Sequence, residues 1–324
     1  MSSIFFWRAD SAGSGFYRSM EPARVLAARG HKATSSPYLP GWAREADVVV
    51  GQRICTPTAS KRWAELAKEG RAKLVFEIDD DLLNVDPSNL TAHGFFSQPE
   101  IHQGLQRNAT LAHEVVVTTE RLAEIFAEIN PNVRIIPNYV PESMLAVQRP
   151  TPERPVVGWY GSPSHTRDFE KTAPQLVRFM RRNPKADFHA LGSRLDWMAS
   201  IEHRQFRFTG WNDSIAGLWR TVDFTVGLAV MRRSEFNRSK SDLKIKEMAA
   251  LGIPSVVTNF AAYEHAAMTG APVLTVDRPN GWAPTLEYLL DDEEARTELG
   301  AKAKAWASSQ TIEQHAGLWE ALLP

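Results

Sequence analysis

Cysteine is almost missing from this chain. Cys55 is its one thiol, which excludes an internal disulfide and a cysteine-built metal centre. Net charge is nearly absent too, with 37 Lys and Arg against 38 Asp and Glu leaving −1. No overall field draws the chain to nucleic acid or to a membrane surface, so only a local basic face would do so. No apolar run approaches the roughly 20 residues that span a bilayer. The opening MSSIFFWRADSAGSG lacks the basic start and long apolar core of a secretory signal, which points to the cytoplasm. A complete glycine fingerprint for a dinucleotide is also lacking, since only the GSG containing Gly13 and Gly15 follows the first apolar run. What remains is an ordinary globular composition, 43% hydrophobic and 23% charged over 324 residues. That length suits two domains of about 150 residues each.

Apolar and amphipathic stretches alternate along the chain. In the first half, strands are predicted at 4–8, 47–51, 74–78, 113–118 and 133–136, with helices at 17–29, 59–69 and 120–128. Runs such as DVVVG and HEVVVT are apolar throughout, the mark of parallel strands covered on both faces. Ligands of such sheets sit at the carboxyl ends of strands. The glycine loop at 9–15, Asp79–Asp80–Asp81 and Pro137–Asn138 all fall there. Residues 84–103 read as a rim loop with one short helix, and the proline-rich 141–155 as an exposed linker. A second α/β series follows, with strands at 156–160, 188–191, 206–209, 224–230 and 273–276, and helices at 168–182, 214–220, 284–290, 293–308 and 311–323. The expected division is 1–140, a linker at 141–155, a second domain at 156–308 and a returning helix at 309–324, with the two doubly wound domains facing each other across a cleft.

The stretch 236–264 carries the strongest chemical signal. Ser239, three residues before Asp242, has the spacing of a capping box, which predicts a helix from there to about Leu251. Ile245, Met248, Ala249 and Gly252 form one small apolar face, and Lys240, Lys244 and Glu247 fall on another. Gly252 and Pro254 stop the helix before the β-branched 255–258. A helix N-terminus bears a partial positive charge, so with Arg238, Lys240 and Lys244 it suits a diphosphate. Glu247 would then accept hydrogen bonds from ribose hydroxyls; the plainer alternative is a solvated charged face.

Three further features stay open at this level. Asp79, Asp80 and Asp81 would bind a divalent cation, cap a turn, or accept a proton from an incoming hydroxyl, crowding raising the pKa of one. Arg53, Lys61, Arg62, Lys68, Arg71 and Lys73, interleaved with Trp42 and Trp63, would form a nucleic-acid face or solvated helix faces. His93, Phe95 and Phe96 would stack on an extruded base or pack inward.

GSGFYRSMEPARVLAARGH, VVVTTERLAEIF, IIPNYV, VVGWYGSPSH and above all KSDLKIKEMAALGIPSVVT resemble the retaining GT-B glycosyltransferases, in particular the GT4-like group and its compact phage-type members. The resemblance implies an α/β fold of two Rossmann-like, doubly wound parallel-sheet domains, with the chain end crossing back to the first. It implies a nucleoside-diphosphate-sugar donor on the second domain, with no metal and no separate cofactor. Glu247 inherits the ribose-holding role, and the family's earlier acidic position is Ser239 here. The diphosphate clamp is assigned to Arg238, Lys240 or Lys244, helped by Ser162 and His165, with Gly13, Gly15, Gly161 and Trp211 also placed at the donor. Asp79, Asp80, Asp81 and Lys240 are the candidate catalytic residues. The implied reaction is glycosyl transfer with retention. A hydroxymethylated pyrimidine in DNA is the expected acceptor; a glycan, lipid or protein acceptor, or nucleotide-sugar epimerisation, are the alternatives.

Overall fold

The computed structural model describes residues 2–212 and 214–324. It divides into two compact units. The first comprises the chain through Pro141 with Ser239–Ser241 and Thr311–Pro324; the second comprises Glu142–Arg238 and Asp242–Gln310. Among the described residues no helix is long and apolar enough to cross a membrane.

The first unit is built on six parallel strands, β1 (Ser3–Arg8), β2 (Lys32–Ser36), β3 (Val48–Gln52), β4 (Lys73–Ile78), β5 (Glu114–Val117) and β6 (Val133–Ile135), in the order β2-β1-β3-β4-β5-β6. The β-branched residues of β3 and β5 are wholly buried between helical layers, as apolar runs in a parallel sheet require. Strand β2 was not expected. Its sequence KATSS is half exposed because it is an edge strand paired only with β1, so no apolar pattern announces it.

Three other expectations in this unit are corrected. The glycines after β1 do not form an open loop. Gly13–Gly15 is already helical and runs through the π-type turn Phe16–Met20 into Glu21–Ala28. A side chain at Gly15 would collide with the Asp10 carbonyl, so this glycine lets the chain approach its own backbone. Residues 84–103 contain two helices, Leu90–Phe96 and the start of Pro99–Leu111. The latter buries Ile101, Gly104, Leu105, Asn108 and Ala109. That face follows helical spacing, but Asn108 and Gly104 hide it: Asn108 Nδ2 donates to the Ile54 carbonyl at 2.8 Å, and Gly104 sits against the Cys55 carbonyl. Finally, the predicted helix at 311–323 shrinks to Ala316–Glu320. Thr311 is bridged to Val140, and the Ile312 N–H donates to the Val140 carbonyl at 2.9 Å. Ile312, Ala316, Trp319 and Leu322 then complete one core with Ile4, Phe6, Leu26, Val48 and Val75.

The second unit holds β7 (Val156–Gly161), β8 (Asp187–Gly192), β9 (Phe206–Gly210), β10 (Val226–Ala229), β11 (Ser255–Thr258) and β12 (Leu274–Val276), parallel in the order β12-β11-β10-β7-β8-β9. Counted from its own first strand this is 6-5-4-1-2-3, the doubly wound order whose switch point lies between β7 and β10. Strand β7 is buried along its whole length, and Gly158 leaves room for the Phe224 ring, which a methyl there would overlap. The helix expected from 168 begins at Ala173, after the 3₁₀ segment Pro163–Phe169. The expected exposed linker is partly anchored: Glu142–Ala146 is a 3₁₀ turn with Met144 buried. Arg149 donates from Nε to the Leu251 carbonyl at 2.7 Å and from Nη1 to that of Phe224 at 3.1 Å.

Candidate functional site

The helix that carries Glu247 spans Leu243–Ala250 and begins after Asp242, so Ser239 is not its cap. Ser239 is fully buried, and its carbonyl accepts a hydrogen bond from Thr119 Oγ1 at 2.9 Å. Lys240 Nζ lies 3.3 Å from Asp80 Oδ1, and Ser241 Oγ accepts from Asn138 Nδ2 at 2.8 Å. These tertiary bonds hold residues 239–241 in the first unit and outcompete a local capping box. Lys240 is thereby removed from the helix face where its spacing had placed it. The other end follows expectation. Gly252 takes φ +67°, the Ile253 N–H donates to the Met248 carbonyl and the Gly252 N–H to that of Ala249, both at 2.9 Å, a Schellman stop. Ile245, Met248 and Ala249 are buried, with Met248 against Gly227 of β10.

Glu247 is bound into the carboxyl end of β7. Tyr160 Oη donates to Glu247 Oε2 at 2.8 Å, and Lys244 Nζ donates to the Tyr160 carbonyl at 2.8 Å. The Lys244 ammonium also lies 5.0 Å from the Tyr160 ring centroid and 5.5 Å from that of Trp159, within cation–π reach. Tyr263 is a second buried phenol of this site. Burial, then the charges of Asp168, Asp242 and Glu247, push its ionisation far above the usual phenol range. It remains a neutral donor among carboxylates. The Asp242 carboxylate is held by Lys246 Nζ at 2.9 Å.

A second cluster, unforeseen from the sequence, centres on Asp168. Its Oδ2 lies 2.7 Å from His165 Nδ1, and its Oδ1 accepts from the Arg232 backbone N–H at 2.9 Å and from Asn237 Nδ2 at 2.7 Å. Burial opposes ionisation, yet the hydrogen bond and charge of His165, with the Arg232 and Asn237 donors, outweigh it and hold the carboxyl below its ordinary value. A carboxylate at Nδ1 fixes the imidazole tautomer, leaving Nε2 the acceptor of the neutral ring. His165 follows β7 and Arg232 follows β10, so the cluster sits at the strand-order reversal.

The remaining donor-side candidates are dispersed. Ser162 and Ser164 share a hydrogen bond at 2.5 Å on the surface. Gly161 is the last residue of β7 and is packed against Trp159. Trp211 is half exposed over Gly192. Arg238 is paired with Glu235 at 2.9 Å and lies over the Phe260 ring. Gly13 and Gly15 belong to the first unit's opening helix.

In the first unit the three aspartates part company. Asp79 faces Arg53, whose Nη1 is 3.7 Å from its Oδ1, while Arg53 Nη2 lies 2.8 Å from Asp10. Asp80 pairs with Lys240; burial raises its carboxyl, Lys240 pulls it down, and the Asp79 charge pushes it up. Asp81 is turned into a loop, accepting from the Asn84 amide at 3.1 Å. Among the described residues no group of three or more His, Cys, Asp or Glu is placed to hold a metal ion. The supposed basic face breaks up. Arg53, Arg71 and Lys73 are ion-paired, and Trp63 is in the core. Burial pushes the Cys55 thiol up to about 11, so it is no nucleophile at neutral pH.

No protein-family model matches the sequence, and no curated protein does. Solved structures do match in shape. HepE of Anabaena in complex with UDP-glucose aligns at 13% identity over 98% of both chains, with a TM-score of 0.71. A sucrose-phosphate synthase from Thermosynechococcus elongatus aligns at 13% identity over 99% of this chain and 98% of its own, TM-score 0.66. A glycosyltransferase from Rickettsia africae aligns at 11% identity over 98% and 96%, TM-score 0.64. With its two parallel six-stranded sheets and these neighbours, the chain has the GT-B fold of glycosyltransferases.

Proposed function

We propose that this chain transfers a glycosyl group from a nucleoside-diphosphate sugar to an acceptor hydroxyl, as a retaining GT4-like enzyme of the cytoplasm. The observation that carries the reading is the Glu247–Tyr160–Lys244 constellation at the carboxyl end of β7, beside the switch point where doubly wound sheets take nucleotides. The second unit is the donor domain and the first the acceptor domain. Glu247 accepts from the ribose hydroxyls, and Tyr160 orients it. Lys244 and Arg238 meet the diphosphate, His165 Nε2 accepts from a sugar hydroxyl, and Trp211 gives a ring face to the base.

In the reaction the acceptor oxygen bonds to the anomeric carbon, and the bond from that carbon to the diphosphate oxygen breaks. Its electron pair leaves with the diphosphate, which takes up the hydroxyl proton on the face where attack occurs. Fixed cations stabilise the developing charge, so transfer proceeds without a metal and survives EDTA. Asp79 and Asp80, the latter with Lys240, orient the acceptor. The hydroxymethylated pyrimidine of DNA is the acceptor suggested by sequence, but with half of the basic run ion-paired the fold adds no support for it.

The test is turnover of UDP-, GDP- and ADP-sugars, read as release of the nucleoside diphosphate. At least one donor is cleaved, and Glu247→Ala abolishes cleavage while the chain still folds by circular dichroism. Full activity in that variant would overturn the reading.

A further inference from the structure

A ring-lined cavity of about 540 Å³ lies in the first unit at the carboxyl ends of β1 and β3. That volume falls inside the roughly 300–1,000 Å³ typical of small-molecule sites. Its walls are apolar and aromatic, with Trp7, Tyr38, Leu39, Ile54, Phe95 and Phe96 among them. Tyr38 is 78% exposed and Phe95 39%, a cost in unburied ring that a stacked ligand would relieve. Three arginines also line the cavity, and no aspartate or glutamate does. Arg53 is neutralised by Asp10 and Asp79. Among the described residues Arg8 hydrogen-bonds to the hydroxyls of Ser11 and Ser35, and neither Arg8 nor Arg62 has a carboxylate partner. The cavity therefore carries two uncompensated positive charges on an apolar box. At the Arg53 end, Arg53 Nε and Asp79 Oδ1 are buried without a hydrogen-bond partner, and buried polar atoms are normally paired.

We propose that this cavity takes a small hydroxyl-bearing aromatic acid: its ring lies against Tyr38, Phe95 and Phe96, its anion on Arg8 and Arg62, and its hydroxyl at Arg53. That this molecule receives the sugar rests on the transfer reading above; its binding does not. A charged group on an apolar ring matches what the walls offer, whereas a neutral ring leaves both arginines unanswered and a small anion leaves the rings exposed.

The test is calorimetric titration of the full chain with 4-hydroxymethylbenzoate, with 1,4-benzenedimethanol and glycolate as controls lacking the anion or the ring. The benzoate binds at least about tenfold more tightly than either control, and Arg62→Ala and Tyr38→Ala, both at exposed positions, each cut its affinity by a similar factor. Equal binding of all three compounds, or a benzoate affinity unmoved by both substitutions, overturns the proposal. So does Arg62-dependent binding of duplex DNA containing hydroxymethylcytosine when the benzoate does not bind. Cleavage of sugar nucleotides in water alone is measured in parallel. Binding without donor cleavage sinks the transfer reading and spares the cavity; cleavage without binding does the reverse.

Discussion

Tyr160 serves the site at both ends of its own residue, with its hydroxyl on Glu247 and its carbonyl on Lys244. Removing only the hydroxyl separates these roles. Tyr160→Phe keeps the ring and the carbonyl but loses a hydrogen bond to a charged group, worth about 1.5–3 kcal/mol. Donor affinity should fall about tenfold or more by calorimetry, with a fall of several degrees in the melting temperature. Asp168 supplies a pH signature. Its folded carboxyl titrates below the ordinary value, so its stabilising contribution is complete above the unfolded pKa, about 3.9, and is lost as pH falls through the lower folded value. Acid titration of the second unit by circular dichroism should show this loss below about pH 4; Asp168→Asn should flatten it while lowering stability at pH 7. Glu247 was legible because its helix, strand and stop signals are contiguous. Asp168 was not, since its partners Arg232 and Asn237 lie 64 and 69 residues away and no local pattern joins them.

Among elements, β7 is closely fitted along its whole length. Gly158 is occupied by the Phe224 ring, which in turn stacks with Tyr160 at 6.3 Å. Gly158→Ala overpacks this layer, a change that costs about 1–3 kcal/mol in typical cores. Urea unfolding should show that loss, and donor affinity should fall with it as the displaced ring disturbs Tyr160. The same element-level packing explains what the sequence hid. Strands β3 and β5 were readable because both of their faces are covered. Strand β2 escaped because an edge strand tolerates KATSS, and the helix Pro99–Leu111 because its inward face uses glycine and asparagine where periodicity looks for aliphatics. Ser239 misled for the opposite reason: a sound local cap signal lost to bonds from Thr119 to its own carbonyl and from Asn138 to Ser241.

On the scale of the molecule, the first unit is closed by the chain's last residues. Trp319 is buried against Phe6 at a ring separation of 5.6 Å and beneath the Arg18 guanidinium at 5.0 Å. Arg18 itself is buried and paired with Glu77 at 2.6 Å. Trp319→Ala should therefore cost the first unit about 3–5 kcal/mol, a large share of the 5–15 kcal/mol typical of a folded domain. Hydrogen exchange should show it as loss of protection in β1, β3 and β4. The two-unit plan was visible in the sequence as two series of apolar runs around a proline-rich stretch. The return of the C-terminal segment came only through family resemblance, because Ile312, Ala316 and Trp319 have no pattern that names their distant partners.

That closure fixes an order of events during synthesis. The second unit's residues end at Gln310, so its core can be completed while the sheet encoded first still waits for Ile312, Trp319 and Leu322. A chain truncated after Gln310 should hold a second unit that resists protease while the first unit is still cut.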